Sequence, residues 1–238
     1  MLLSSPHVSS GDDRTQQLGS KHLKGIKEAI FVLIFVFSPA ILNAHTYYGS
    51  GFFVNHEGYI ATAKHLVSGK SNLKVSYKGN TYPATLVGVG WGDVAIIHIA
   101  THNRMALNFN TDEQDNVYSA AIGFLPGISS DSIADFSPGH ASSGFFHSVN
   151  YDMSICHGMS GGPVINSDGA IIGMVAESYN LKNEPCGSPG YGPAASEIVS
   201  VLNQLGVFYS NTRIQVGLFE DFTNQINENN AVVKVYAG

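Results

Sequence analysis

Between residues 47 and 176 the chain is cut into short apolar runs by glycine, asparagine and lysine turns, a pattern that few architectures accept. Runs at 51–55 (GFFVN), 59–63 (YIATA), 73–77, 81–89 and 93–99 form one series, and 116–123, 142–149, 162–165 and 170–176 form a second. Their β-branched and aromatic side chains suit strands, and each run is too short for a stable helix. His56-Glu57-Gly58 and Lys78-Gly79-Asn80 read as hairpin turns, because glycine and asparagine accept positive φ. Many short strands at even spacing predict an all-β barrel or sandwich. One amphipathic helix is expected at 196–205 (SEIVSVLNQL), with Ser196 as N-cap and Gly206 as its stop. Residues 211–238 are polar apart from a final apolar strand at 231–236.

A length of 238 residues is enough for one domain with a sizeable core. Only 13% of residues are charged, about half the usual share. The net charge of −6 leaves no basic footprint, so nucleic acid is not expected as a partner. There is no phosphate loop, dinucleotide fingerprint or zinc-spaced Cys/His cluster, and neither a metal nor a cofactor is expected.

Residues 29–44 (AIFVLIFVFSPAILNA) are the most hydrophobic stretch and carry no charge. They follow Lys21, Lys24 and Lys27 and end on the small Ala44. Basic, apolar, then small is the plan of a secretory signal sequence. The run is shorter than the ~20 residues of a spanning helix, though an uncleaved anchor would attach the chain to a membrane through 29–44. The bland alternative makes 29–37 a buried first strand of the folded domain.

The chemistry concentrates in Gly158-Met159-Ser160-Gly161-Gly162-Pro163. A serine hydroxyl needs a base and a site for the charge that its attack creates. Glycines on both sides let the backbone turn sharply and aim successive N–H groups into one concavity. The N–H groups of Gly158 and Ser160 would there receive an oxyanion.

The longer stretch HGMSGGPVINSDGAIIGMV resembles the trypsin-like serine peptidases, and most closely their bacterial HtrA-type branch without a PDZ domain. Three further segments, in the family's order, extend the likeness: 49–67 (GSGFFVNHEGYIATAKHLV), 92–99 (GDVAIIHI) and 190–202 (GYGPAASEIVSVL). Residues 136–143 (FSPGHASS) take the place of the strand that opens the second barrel's specificity half. The resemblance implies two six-stranded antiparallel β-barrels with a C-terminal helix. Barrel one would occupy about 45–108 and barrel two about 116–210, with 1–44 as leader and 211–238 as a C-terminal extension. It further implies a serine endopeptidase acting on polypeptides through an acyl-enzyme. His65 would be the general base, Asp93 its orienting carboxylate and Ser160 the nucleophile, in the chain order of the chymotrypsin-type triad. His56, in a turn, and Asp112 and Asp115, in a polar loop, are weaker candidates.

Two departures matter. Met159 stands where the family usually carries Asp or Asn, which excludes activation by pairing with a newly cut N-terminus. Leu66 replaces a cysteine common in secreted animal enzymes. Cys156 and Cys186, the only cysteines, match a family disulfide that braces the S1 pocket; the alternative is two unrelated buried thiols. A bridge would imply an oxidising compartment, with the domain periplasmic, secreted or anchored outside the cytoplasm. The resemblance puts Ser154 at the base of S1 and Ser178 and Gly190 near its walls. Two other readings fit the same residues: an inactive binding module that keeps the fold, and a protease that processes a polyprotein.

Overall fold

The computed structural model describes residues 47–125, 134–178, 186–210 and 219–238. Strands β1 (Tyr47–Phe53), β2 (Tyr59–Ala63), β3 (Lys74–Tyr77), β4 (Asn80–Val89) and β5 (Val94–Ile99) come first, with one helical turn, α1 (Lys64–Val67), after β2. There follow β6 (Val117–Gly123), β7 (Asp135–Ser143), β8 (Ser148–Tyr151), β9 (Ile155–Cys156), β10 (Pro163–Asn166), β11 (Ile171–Met174), β12 (Glu177–Ser178), β13 (Cys186–Gly187) and β14 (Gly190–Pro193). Two helices, α2 (Ala195–Gln204) and α3 (Phe219–Asn229), lead to β15 (Val232–Ala237).

Five early strands and one late strand close the first barrel in the order β1-β15-β3-β4-β5-β2. β15 runs antiparallel to both neighbours: Ser50 stands opposite Lys234 and Gly49 opposite Val235, which in turn faces Val75. Residues 211–238, expected as an extension beyond both barrels, therefore supply a barrel strand, and the first barrel is not confined to 45–108. The reason is physical: VVKVYA carries alternate apolar residues that find no stable exposed position, and β1 and β3 offer two unpaired edges. All six positions of this barrel are filled by described residues. The segment 29–37, one of whose readings is a first strand, lies outside the described residues, as does the whole 1–44 leader.

The second unit is a seven-stranded sheet in the order β11-β10-β6-β7-β8-β14-β12, and β9 pairs with β13 beside it. The expected six-stranded barrel differs here in two ways. A single bridge from Gly173 to Ala194 brings the sheet's far side round, so it curls without a full closing ladder. The strand expected at 170–176 is broken, because Val175 leaves the ladder. Its N–H donates to Gly162 O and its carbonyl accepts from Gly161 N, both at 2.8 Å. β11 and β12 are thus two halves of one bent strand.

Other local readings change too. The run 142–149 is strand only at its ends, Ser142 and Ser143 in β7 and Ser148 and Val149 in β8; between them 144–147 form a hairpin turn, where Gly144 N donates to Ser148 O at 2.9 Å and Phe145 and Phe146 are exposed to solvent. α2 begins at Ala195 with Ala194 in the N-cap position, so Ser196 lies inside the first turn. The sequence reading holds no helix at α3: its sequence is largely polar, and among the described side chains Phe222 and Ile226, four residues apart, are the buried apolar anchors. Ser210 N donates to Val54 O, tying the end of the second unit back to the first.

Phe52, Phe53, Ile60, Ile96, Ile97 and Val235 fill the main core, and Tyr151, Met153, Ile155 and Met159 belong to a smaller cluster in the second unit. Val235→Asp would place a carboxylate in the barrel core. We expect it to cost about 3 kcal/mol or more in urea unfolding, against at most about 0.5 kcal/mol if residues 211–238 were a detached tail.

Candidate active site

His65 and Asp93 are brought together by strand pairing. β2 and β5 are antiparallel neighbours with Ala63 opposite Val94, so the residues just past these ends meet at one rim of the barrel. The short turn α1 lifts His65 off the sheet. Its backbone N–H donates to Asp93 Oδ1 at 2.9 Å, and its Nδ1 lies 2.7 Å from Oδ2. Lys64 N also donates to Asp93 O at 3.2 Å. A carboxylate can only accept, so Nδ1 carries the proton and Nε2 keeps a free lone pair. The hydrogen bond that His65 donates to Asp93 holds the His65 pKa above the ordinary imidazole value; burial opposes this, and the charges of Asp93 and Glu177 add to the rise.

The serine loop is built against the first barrel. Gly158 and Gly161 have φ of +90° and +86°, and neither has room for a side chain: a Cβ on Gly158 would lie 2.4 Å from Phe124 O, and one on Gly161 2.1 Å from Ser50 O. Ser50 is the contact point. Its N–H donates to Ser160 O at 2.8 Å and its Oγ to Gly158 O at 2.7 Å. The same Oγ accepts from Phe124 N at 3.0 Å, and Ser50 O accepts from Thr62 Oγ1 at 2.7 Å. The hydroxyl of Ser160 donates to Ala176 O at 3.1 Å rather than to the imidazole. Met159, Gly161 and Gly162 all spend their N–H groups within the fold. Among the described residues, the N–H groups of Gly158 and Ser160 have no acceptor, which leaves two donors side by side. Met159 is buried, and its sulfur accepts from Cys156 N at 3.5 Å, so the side chain replacing Asp or Asn is a core filler.

Of the three pocket residues named from sequence, Ser178 is buried and donates from Oγ to Pro189 O at 3.1 Å. Gly190 is buried as well, and a Cβ there would lie 2.1 Å from the Tyr151 ring and 2.7 Å from Ile155 Cγ1. Ser154 is exposed, just before β9. Cys156 and Cys186 stand opposite each other in β9 and β13 and are joined by a disulfide, with Cα atoms 3.9 Å apart. Four contributors were missed from sequence: Ser50, Tyr151, Ile155 and Glu177. A polar residue between two glycines in an otherwise apolar strand is the signal for Ser50. The signal for Glu177 is a lone carboxylate, the only acidic residue between Asp168 and Glu184. Tyr151 and Ile155 carry no signal, since they read as ordinary core.

Comparison with known proteins gives the chain's relatives. The family model described as trypsin-like peptidase domain matches residues 49–174. A serine endoprotease, DegS, from Haemophilus influenzae is 27% identical over 206 residues, covering 80% of this chain and 53% of that protein. A probable periplasmic serine endoprotease, DegP-like, from Chlamydia pneumoniae is 31% identical over 144 residues, covering 53% of this chain and 28% of the relative. The chain thus spans about half or less of these curated relatives. Among solved structures, an HtrA-type protease, AlgW, with a decapeptide superimposes with a TM-score of 0.57 at 21% identity, over 66% of this chain and 51% of that one.

The bridge closes a loop with a sequence separation of 30, for which the chain-entropy estimate is about 3–4 kcal/mol. Unreduced protein, once denatured, should release no thiol to a sulfhydryl reagent. Mild reduction should loosen ligand binding beside β9 before it melts either sheet, as followed by ligand titration and near-ultraviolet dichroism on the same sample.

Proposed function

The chain belongs to the trypsin-like peptidase domain family, and on that premise we propose that it is a serine endopeptidase that cleaves polypeptides through a His65–Asp93–Ser160 triad and an acyl-enzyme. The observation that carries this reading is the 2.7 Å contact between His65 Nδ1 and Asp93 Oδ2. It fixes the tautomer in which Nε2 can take a proton. In the proposed reaction the Ser160 hydroxyl leaves Ala176 O by rotation about χ1 and donates to Nε2. As Oγ attacks the substrate carbonyl, the proton passes to His65, and Asp93 stabilises the imidazolium. The unengaged N–H groups of Gly158 and Ser160 donate to the oxyanion. Collapse of the tetrahedral adduct transfers the proton from His65 to the leaving amine. Water then repeats the sequence on the acyl-enzyme and frees Ser160.

Export of the domain out of the cytoplasm fits three features: the apolar segment 29–44, the Cys156–Cys186 bridge and the periplasmic relative. In this reading 1–44 is a signal peptide or an anchor and 45–210 holds the peptidase, joined by the final strand. Tyr151 and Ile155 beside Gly190 favour an apolar residue of moderate size in S1.

Ser160→Ala should retain the fold and lose activity by on the order of 10⁴-fold or more. Labelling by a fluorophosphonate probe, present in the parent and absent in the variant, checks the nucleophile; a variant with parental turnover sinks the assignment. The pH dependence has a defined sign. Catalysis needs neutral His65, and the Asp93 bond favours the protonated form. The kcat/KM profile should therefore rise with pH through a midpoint above that of a free imidazole, and Asp93→Asn should lower that midpoint while cutting the rate. A profile flat from about pH 5 to 8 would exclude His65 as base.

A further inference from the structure

Glu177 occupies a position that the triad does not use. Among the described residues its strand, β12, is the terminal strand of the curled sheet and pairs only with β14, Glu177 opposite Tyr191 and Ser178 opposite Gly190. The other edge of β12 faces the nucleophile, because Ala176 O, one residue earlier, accepts from Ser160 Oγ at 3.1 Å. Ala176 is divided between the two edges: its carbonyl is turned to the cleft, while its N–H donates to Tyr191 O of β14 at 3.2 Å. An extended peptide can add to such an edge.

The pairing arithmetic then fixes what Glu177 meets. In an antiparallel addition, the residue whose carbonyl Ser160 attacks lies across from Ala176. The residue before it lies across from Glu177, and the one before that across from Ser178. Directly opposed residues share a face, with Cβ atoms ~5 Å apart. The side chain that precedes the cleaved residue is therefore the one placed against the Glu177 carboxylate.

That carboxylate is held ready for a cation. Tyr191 Oη donates to Oε2 at 2.8 Å, which orients the group from its own sheet while the residue stays exposed. Among the described residues no lysine, arginine or histidine forms an ion pair with it. Lys64, beside His65, is turned the other way, its Nζ donating to Gly90 O at 3.0 Å. The charge of Glu177 is the smallest of the contributions that raise the His65 pKa.

We propose that Glu177 is a specificity-determining residue that selects a lysine or arginine side chain at the substrate position immediately before the cleaved residue. This rests on the reading of Ser160 as nucleophile. Tyr191 is then a positioning residue, acting through the carboxylate it holds.

The test uses the full chain and N-acetylated peptides that differ only at that position, carrying Lys, Arg, Gln or Glu. The expected kcat/KM ratio of Lys to Gln is about fivefold or more at low salt, shrinking as ionic strength rises. Glu177→Gln should bring the ratio to about one, and Glu177→Lys should invert it in favour of Glu. A ratio taken within one variant is insensitive to the fraction folded, so partial misfolding cannot mimic the result. Wild-type enzyme that labels at Ser160 yet ignores this charge overturns the Glu177 proposal alone, as does a preference that survives Glu177→Gln. Failure of Ser160 to label, with no cleavage of any peptide, overturns both readings.

Discussion

The two halves of the candidate site sit on different sheets, and one residue of β1 sets the distance between them. Ser50 uses its N–H, its carbonyl and both capacities of its hydroxyl to hold Ser160, Gly158, Phe124 and Thr62. The donors of the proposed oxyanion site are therefore not a free-standing loop. They are fastened to the barrel that carries His65 and Asp93. A hydrogen bond of this kind contributes only about 1 kcal/mol, but leaving one of these buried partners unmade costs more. The glycines around it follow from the same closeness. Gly49 and Gly161 have no side chain because Ser160 O and Ser50 O stand where their Cβ atoms would be. Much of the GSG and GMSGGP composition thus reflects two backbones that must touch.

Electrostatics enter the site sparingly. Met159 and Leu66 replace groups that other members of the family use for charge pairing or bridging, and here both are buried packing. Among the described residues, two carboxylates act on the His65 ring, Asp93 behind it and Glu177 on the edge strand. One orients a ring from within the barrel rim. The other faces outward and is steadied by a phenol. Their different surroundings are consistent with different tasks, one toward the imidazole and one toward what binds beside it.

Sequence carried the local features well. The segments 59–63 and 93–99 are readable as strands because nearly every side chain in them is apolar, which a doubly covered strand demands. The serine loop is readable because its glycines are dictated by contact. What sequence could not carry was partnership over long separations. Nothing in VVKVYA says that its neighbours are β1 and β3, some 160 to 190 positions earlier. The polar α3 hides two anchors that acquire meaning only once β15 is docked. The run 142–149 failed for the opposite reason: Phe145 and Phe146 look like strand residues, yet the backbone turns there and leaves them in water. Tyr151 and Ile155 lay beyond reach because a side chain packed on Gly190 and any other core side chain are chemically alike until that glycine's neighbours are known.

Closing the first barrel with β15 has a consequence in time. A polypeptide emerging from its N-terminal end presents every strand of the curled sheet, and five of the six barrel strands, before Val232–Ala237 exists. The rim bearing His65 and Asp93 then belongs to an open sheet whose β1 and β3 edges are unpaired, and contacts of such sequence separation are the slowest to form. The serine loop, meanwhile, leans on the Ser50 strand, whose outer neighbour is the strand still missing. However the other elements find one another, the half-site carried by the barrel is finished last, only after β15 has been made.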